Sequence, residues 1–188
     1  MFLNLPTLLT WARIVAIPLI VGVFYLPRPQ PELNLVASVL FVLVALTDWL
    51  DGWLARRLNQ TSAFGAFLDP VADKFLVCAS LLILLQLDRV NALVALVIIG
   101  REIAISALRE WMAQIGASKS VAVHMLGKLK TASQMVAIVL LLYDGPLFGL
   151  VHTHLLGTWL IYIACGLTIW SMAYYLKKSL PDIRAKAR

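Results

Sequence analysis

The stretch TDWLDGWLARRLNQTSAFGAFLDPVADK, from Thr47 to Lys74, contains four aspartates and connects two segments that are otherwise strongly apolar. The chain around it has 188 residues, of which 61% are hydrophobic and only 14% are charged. Soluble domains average roughly 45–50% apolar and about 25% charged residues. The composition therefore predicts an integral membrane protein, in which four neighbouring carboxylates require a specific explanation.

Six apolar segments each approach the roughly 20 residues that a helix needs to cross a bilayer. They run over about Leu8–Leu26, Leu35–Leu58, Asp69–Leu87, Ala92–Gln114, Ala122–Tyr143 and Leu155–Leu176. Proline-rich and polar links separate them, and we find no internal repeat or second domain. We therefore expect one all-α membrane domain over residues 1–188. Residues 2–10 are either a short interfacial helix or the start of the first span.

Lysine and arginine are distributed unequally between the two sets of links. The links after the first, third and fifth spans contain only Arg28 and Arg89. The opposite side carries Arg56, Arg57, Lys119, Lys128, Lys130, Lys177, Lys178, Arg184, Lys186 and Arg188. Basic residues favour the cytoplasmic side of a membrane, so we expect both termini, the four aspartates and the basic tail 177–188 there. The net charge of +6 then serves topology, and nucleic-acid binding is not expected.

The four aspartates form two pairs at helical spacing. Asp48 and Asp51 are three residues apart and Asp69 and Asp73 are four apart, so each pair shares one face of a helix. Both pairs lie at the same end of adjacent predicted helices, where four carboxylates repel one another unless protons or cations neutralise them. All-carboxylate ligation suits hard cations, so the pattern predicts two Mg²⁺ or Mn²⁺ ions in one site.

A structural explanation of single aspartates is the alternative. Asp69 matches an N-cap, with Pro70 at the first helical position. Another aspartate has Arg56 or Lys74 as a possible ion-pair partner. The small residues nearby favour close approach of a ligand, although helix packing uses small residues too.

The spacing resembles the signature of the CDP-alcohol phosphotransferase family and matches it without a departure. The matching positions, over residues 48–73, are Asp48, Asp51, Gly52, Ala55, Arg56, Gly65, Asp69 and Asp73. The resemblance implies a six-helix membrane enzyme, usually a homodimer, in which an alcohol displaces CMP from a CDP-linked substrate. It implies that the four aspartates bind two metal ions and that Asp73 also acts as general base. It further implies a CDP site lined by Gly52, Ala55, Arg56, Ser62 and Gly65.

Basic residues outside the signature point to the acceptor. Four basic residues of the fourth and fifth spans bring positive charge toward one cavity; they are Arg101, Arg109, Lys128 and Lys130. This indicates a second phosphate besides the pyrophosphate. Alternatively, Arg101 pairs with a neighbouring carboxylate such as that of Glu102, and the lysines only follow the topology rule. Two residues of the first span, Thr10 and Arg13, are further phosphate-binding candidates. Alternatively, the head group of Arg13 lies at the membrane interface.

Three further segments resemble those of family members that join CDP-diacylglycerol to sn-glycerol 3-phosphate; they are NLPTLLTWARI, GREIAISALREWM and GKLKTASQM. The resemblance runs from residue 4 to about residue 176. It implies these two substrates, contact with membrane lipid, and a site that faces the cytoplasm in a bacterial inner membrane. Inositol phosphate, phosphatidylglycerol and serine are alternative acceptors. A divalent-cation or proton transporter is an alternative of another class, although transporters often contain internal repeats.

Overall fold

The computed structural model describes residues 5–58, 63–114, 125–147 and 151–186, for some of which it describes only the backbone. These residues form six helices: α1 Leu5–Val23, α2 Gln30–Leu58, α3 Ala63–Gln86, α4 Ala92–Gln114, α5 Met125–Tyr143 and α6 Thr153–Lys186. Two short strands, β1 Pro146–Leu147 and β2 Val151–His152, pair antiparallel between α5 and α6. The predicted all-α class and the six helices are confirmed, and the small hairpin is an addition that the sequence did not predict.

Local caps explain the short link between α3 and α4. Asp88 adopts a left-handed backbone with φ of 56°, and the N–H of Arg89 donates to the carbonyl of Leu84 at 2.9 Å. This arrangement closes the last turn of α3. The side chain of Asn91 accepts a hydrogen bond from the N–H of Leu93 at 2.8 Å, which starts α4. The predicted bounds of α4, Ala92–Gln114, are confirmed, and these local signals account for its start.

The predicted start of α3 was wrong. The helix begins at Ala63, so Asp69 lies in its second turn instead of at the N-cap, and Pro70 lies inside the helix. The segment before Asp69 is apolar and continues the helix toward its N-terminus. Pro70 removes one backbone hydrogen bond, a loss that helices in apolar surroundings tolerate through neighbouring contacts.

Of the other helices, α1 is shifted toward the N-terminus relative to its predicted bounds, and α2 and α6 are longer than predicted. α1 starts at Leu5 and runs without a break to Val23, so the described part of residues 2–10 is the start of the first helix and not a separate interfacial helix. α2 starts at Gln30, because Pro31 in the first turn needs no hydrogen-bond partner for a backbone N–H. α6 continues to Lys186 and takes in most of the basic tail.

The helices bury an apolar core and also expose an apolar exterior. Phe41, Leu81, Ile98 and Leu141 are fully buried at the centre of the bundle. Large apolar side chains are also exposed on the outside of each helix, including Val15, Leu43, Phe67, Leu96, Val136 and Trp170. Such an exterior is unfavourable in water and favourable in lipid.

Two described helical stretches, Gln30–Thr47 and Thr153–Pro181, are long and apolar enough to cross a membrane by length and composition. Shorter apolar stretches occupy Thr7–Val23 and Leu129–Tyr143. Together with the apolar exterior, these stretches agree with a helical membrane protein.

A polar cluster joins four segments at one end of the bundle, which we call the link end because the linking residues 24–29, 87–91, 144–147 and 151–152 lie there. Arg89 donates from Nη1 to the carbonyls of Leu141 and Leu142, both at 3.0 Å, and from Nη2 to Asn34 at 2.9 Å. Its Nε lies 3.0 Å from a carboxylate oxygen of Asp144. Burial lowers the pKa of Arg89, and the negative charge of Asp144 opposes this shift.

Candidate active site

A cavity of about 390 Å³ lies between α3, α4 and α5 at the end of the bundle opposite the link end. Its lining residues are Asp69, Pro70, Asp73, Lys74 and Val77 of α3, Glu102 and Arg109 of α4, and Thr131, Gln134 and Met135 of α5. The two aspartates of α3 therefore share one volume with the polar and charged groups of α4 and α5.

The two α3 aspartates are held by hydrogen bonds from α1. The hydroxyl of Thr10 donates to Oδ1 of Asp69 at 2.6 Å, and Nη1 of Arg13 donates to Oδ1 of Asp73 at 2.9 Å. The Arg13 side chain is fully buried, whereas that of Asp73 is 45% exposed toward the cavity. The arginine therefore lies behind the carboxylate and not at the interface of the bundle with solvent.

A second group of polar and charged side chains, which we call the Glu102 cluster, comprises Glu102, Arg101, Lys130 and Ser171. Oε1 of Glu102 accepts from Nη1 of Arg101 at 3.0 Å and also from Nζ of Lys130. Nη2 of Arg101 donates to the hydroxyl of Ser171 on α6 at 3.1 Å. Arg101 and Lys130 are both buried, so one carboxylate provides the counter-charge for two cations inside the bundle.

Arg109 lies on the same side of α4 as Glu102, two turns further along the helix, and its side chain lines the cavity. Its guanidinium carbon is 5.9 Å from the centre of the Tyr175 ring, a distance at which the ring face attracts a cation. Tyr175 is itself buried against Ile105 and Met112. The aromatic ring therefore holds the Arg109 charge at the cavity. Among the described residues, no carboxylate forms an ion pair with Arg109.

An apolar groove lies beside this cavity, between α2 and α5. Met135 lines both the cavity and a groove of about 340 Å³ that Phe41, Val42 and Val139 also line. A further pocket of about 260 Å³ shares Val42 and Val139 and extends the groove toward Tyr143. The polar cavity thus adjoins, at Met135, an apolar path that leads along the helices toward the link end.

The donor set of the cavity fits a hard cation as far as it is described. Asp69 and Asp73 present two carboxylates one helical turn apart, and carboxylate oxygens are the ligands that Mg²⁺ and Mn²⁺ prefer. Among the side chains that the structure describes, no three His, Cys, Asp or Glu residues come together as a metal site. The other two predicted ligands, Asp48 and Asp51, lie on α2, where their side chains are outside the described part.

Comparisons with known proteins agree with the sequence signature. A profile of the family described as CDP-alcohol phosphatidyltransferase matches residues 3–170. The chain belongs to this family. Relatives from Salmonella choleraesuis and Shigella flexneri are each 46% identical over 182 residues, which cover 96% of this chain and 97% of each relative. A relative from Pseudomonas fluorescens is 46% identical over 190 residues, or 99% and 95% of the two chains. All three relatives are named CDP-diacylglycerol–glycerol-3-phosphate 3-phosphatidyltransferase.

The structure brings several residues of the predicted family site together. Asp69, Asp73 and Arg109 line one cavity, and Lys130 and Arg101 reach it through Glu102. Gly65 is buried in the first turn of α3. The remaining predicted positions lie outside what the structure describes, either as whole residues or as side chains; they are Asp48, Asp51, Gly52, Ala55, Arg56, Ser62 and Lys128.

Four polar or charged residues that line the cavity were not predicted as site residues from the sequence. Thr131 and Gln134 lie one turn apart on α5 and line the cavity together with Lys74. Glu102 was treated only as a possible partner of Arg101, although it also binds Lys130 across 28 positions of sequence. The spacing of Lys130, Thr131 and Gln134 on one helix face was the available signal.

Proposed function

We propose that this protein transfers the phosphatidyl group of CDP-diacylglycerol to sn-glycerol 3-phosphate, forming phosphatidylglycerophosphate and CMP. The observation that carries the proposal is the cavity that joins the α3 carboxylates to a mainly cationic group on α4 and α5. The names of relatives that align with almost the whole chain support the same reaction. The activity requires a site that binds two phosphorylated substrates side by side.

The proposal includes six membrane spans with both termini in the cytoplasm of a bacterium, within one domain over residues 1–188. The apolar exterior of the bundle supports this arrangement. The concentration of lysine and arginine at the cavity end supports the orientation. The cavity then opens near the cytoplasmic surface, where a water-soluble acceptor can enter. The homodimer implied by the family resemblance is also part of the proposal.

In this reaction the acceptor hydroxyl attacks the phosphorus that bears diacylglycerol, and the bond from that phosphorus to the oxygen of CMP breaks. Asp73 is suited to accept the hydroxyl proton, because its side chain lines the cavity and is partly exposed. Asp48, Asp51, Asp69 and Asp73 would hold two divalent cations. Bound there, Mg²⁺ or Mn²⁺ would supply positive charge to the pyrophosphate and the departing CMP.

The nucleotide would bind beside these carboxylates. The residues that the family resemblance assigns to CDP are Gly52, Ala55, Arg56, Ser62 and Gly65. Small residues at four of these five positions suit close approach of the nucleotide to the helices. Arg56 would provide a planar, permanently charged partner for a phosphate.

The acceptor phosphate would bind near the Glu102 cluster and Arg109, with Lys128 as a further candidate. Arg101, Lys130 and Arg109 carry three positive charges, of which Glu102 offsets one. The two remaining positive charges match a phosphate monoester, which carries about −1.5 to −2 at pH 7. Serine and phosphatidylglycerol lack such a dianionic group, and inositol phosphate has one.

The apolar groove supports a lipid substrate. It meets the cavity at Met135 and continues between α2 and α5. An acyl chain attached to a phosphate in the cavity has an apolar surface to follow there, without crossing polar groups. The headgroup and the hydrocarbon of CDP-diacylglycerol thus have a polar cavity and an apolar groove that adjoin at Met135.

The test is CMP release from CDP-diacylglycerol by purified protein with Mg²⁺ in detergent micelles. Separate reactions contain glycerol 3-phosphate, inositol phosphate, serine or phosphatidylglycerol, and a matched set contains EDTA. We expect release only with glycerol 3-phosphate and its loss with EDTA. Release with serine or phosphatidylglycerol would contradict the assignment of the Glu102 cluster, and release with inositol phosphate would contradict glycerol 3-phosphate as the acceptor. No release with any acceptor would contradict the proposed reaction.

A further inference from the structure

We infer that Thr10 and Arg13 of α1 are positioning residues that fix the carboxylates of Asp69 and Asp73 for the reaction. This inference rests on the proposed function, because it assigns those two carboxylates to the reaction. It differs from the sequence-based hypothesis in which Thr10 and Arg13 contact a phosphate directly. Its basis is the pair of contacts between α1 and α3.

The two contacts are in register. Thr10 and Arg13 are three residues apart on α1, and Asp69 and Asp73 are four apart on α3, so each pair lies within about one helical turn. The lower-numbered members meet at 2.6 Å and the higher-numbered members at 2.9 Å, which means that the two helices run in the same direction. One face of α1 therefore addresses both carboxylates of α3.

The α1 side chains are buried, whereas the α3 carboxylates face the cavity, so only the carboxylates are placed to contact a substrate. Thr10 and Arg13 are each only 1% exposed, whereas Asp69 and Asp73 line the cavity. A substrate in the cavity therefore meets the carboxylates first, and the α1 side chains lie behind them. Groups that hold a carboxylate from behind without reaching the ligand are typical of sites in which a second layer of residues sets orientation.

The element that carries these residues is well anchored. α1 packs against both α2 and α3, and Ile17 and Ile20, on the turns that follow Arg13, are buried in the main core. The hydroxyl and guanidinium therefore have little freedom to move relative to α3. A rigid support of this kind reduces the number of side-chain positions that the carboxylates can adopt before ligands bind.

The chemistry of the two contacts differs, and so do the expected consequences of losing them. Thr10 contributes a neutral hydroxyl donor to Asp69. Arg13 contributes a charged donor whose planar shape fixes the direction of the Asp73 oxygen. We therefore expect Thr10 to act mainly on cation binding through Asp69, and Arg13 to act mainly on turnover through Asp73.

The first experiment measures Mn²⁺ binding to the detergent-solubilised full chain by electron paramagnetic resonance, without substrate. Thr10→Val keeps the shape of the side chain and removes the hydroxyl, and we expect it to raise the Mn²⁺ dissociation constant about 10-fold or more. Thr10→Ser returns the hydroxyl and is expected to recover most of the affinity. Thr158→Val is the matched control, because among the described residues the hydroxyl of Thr158 donates only to the carbonyl of His154 in its own helix.

The second experiment measures steady-state CMP release. We expect Arg13→Gln to lower kcat about 10–100-fold and to change KM for either substrate by less than about threefold. Arg13→Lys keeps the charge without the planar fork, so we expect partial recovery of kcat. Arg28→Gln is the control, because Arg28 is exposed and, among the described residues, forms an ion pair only with Glu32 four residues away.

Three results would overturn the inference. One is equal Mn²⁺ affinity in Thr10→Val and wild type, and another is turnover by wild type without Mn²⁺ binding. The third is a rise in KM for CDP-diacylglycerol at unchanged kcat in Arg13→Gln, since this pattern would place Arg13 on the pyrophosphate. If Arg13→Gln does not fold, the Thr10 series decides. Should wild type release no CMP, the proposed function fails, while the Mn²⁺ comparison of Thr10→Val with Thr10→Ser still tests positioning.

Discussion

Two buried arginines at opposite ends of the bundle are satisfied to different degrees. At the link end, all three nitrogens of Arg89 have partners, which are two helix carbonyls, Asn34 and Asp144. Near the cavity, Arg101 uses Nη1 and Nη2 for Glu102 and Ser171. Its buried Nε has no hydrogen-bond partner among the described residues.

This difference indicates different roles for the two ends. A guanidinium whose three nitrogens all have protein partners, at the meeting point of four segments, stabilises the fold. Charges around a cavity, in contrast, share one carboxylate and leave room for a ligand. We therefore expect substitutions at the link end to change stability, and substitutions at the cavity to change catalysis and binding.

The largest effect is expected from Asp73→Asn. Loss of a general base lowers rates by about 10²–10⁴-fold, and the amide keeps the size of the side chain, so the fold should persist. CMP release and the thermal unfolding midpoint are measured together. Asp88→Asn is the matched control, since Asp88 is exposed at the link end and asparagine also tolerates its left-handed backbone. An active Asp73→Asn protein would remove Asp73 from the role of base.

A large loss of stability is expected from Arg89→Met. The substitution keeps the apolar stem but leaves Asn34, Asp144 and two helix carbonyls without their donor. Removing one partner of a buried charge pair costs about 3–5 kcal/mol. Unfolding in detergent should therefore occur at a clearly lower temperature, while kcat measured well below that temperature stays near wild type. Arg28→Met, at an exposed position of the same end, is the control. An equal unfolding midpoint in both variants would refute a stabilising role for the contacts of Arg89.

An intermediate effect is expected from Lys130→Ala. A hydrogen bond to a charged group contributes about 1.5–3 kcal/mol, so KM for glycerol 3-phosphate should rise about 10–100-fold. KM for CDP-diacylglycerol should change much less, because the proposed nucleotide site lies on α2 and α3. Lys177→Ala, at an exposed site on α6, controls for the loss of a positive charge. An unchanged acceptor KM would locate the second phosphate elsewhere.

The sequence predicted those parts of the fold that depend on local signals. The start of α4 follows from Asn91 and the end of α3 from the polar residues around Asp88, and the six apolar segments follow from composition. The start of α3 did not follow, because Asp69 and Pro70 form a cap pattern that also fits the inside of a helix in apolar surroundings. The hairpin at Pro146–Leu147 was missed, since strands of two residues leave no periodic signal.

The candidate site was predictable where its residues share one helix. Asp69 and Asp73 were placed on one face by their spacing, and they do line one cavity. Pairings between helices were not predictable. Lys130 reaches Glu102 over 28 positions and Thr10 reaches Asp69 over 59, and one sequence contains no signal for such distances. The distant partner of Arg13 changed its interpretation from a phosphate contact to a carboxylate contact.

The smallest effect is expected at a second partner of Asp144, which sharpens the comparison at the link end. Nδ1 of His154 lies 2.7 Å from Oδ1 of Asp144, closer than the 3.0 Å between Arg89 Nε and Oδ2. However, the His154 side chain is 52% exposed, whereas that of Arg89 is 7% exposed. Water therefore replaces the histidine contact readily, and exposed ion pairs contribute only about 0–1 kcal/mol.

His154 also follows Thr153, the first residue of α6, where the helix dipole disfavours a positive charge. We therefore expect His154→Ala to change the free energy of unfolding by less than about 0.5 kcal/mol, as measured by the unfolding midpoint beside Arg89→Met. A loss as large as that of Arg89→Met would mean that contact distance, and not burial, determines the strength of the interactions around Asp144. A small loss would show that Asp144 stabilises the protein mainly through its buried partner, Arg89. Water cannot take the place of that partner, whereas it can take the place of the exposed histidine.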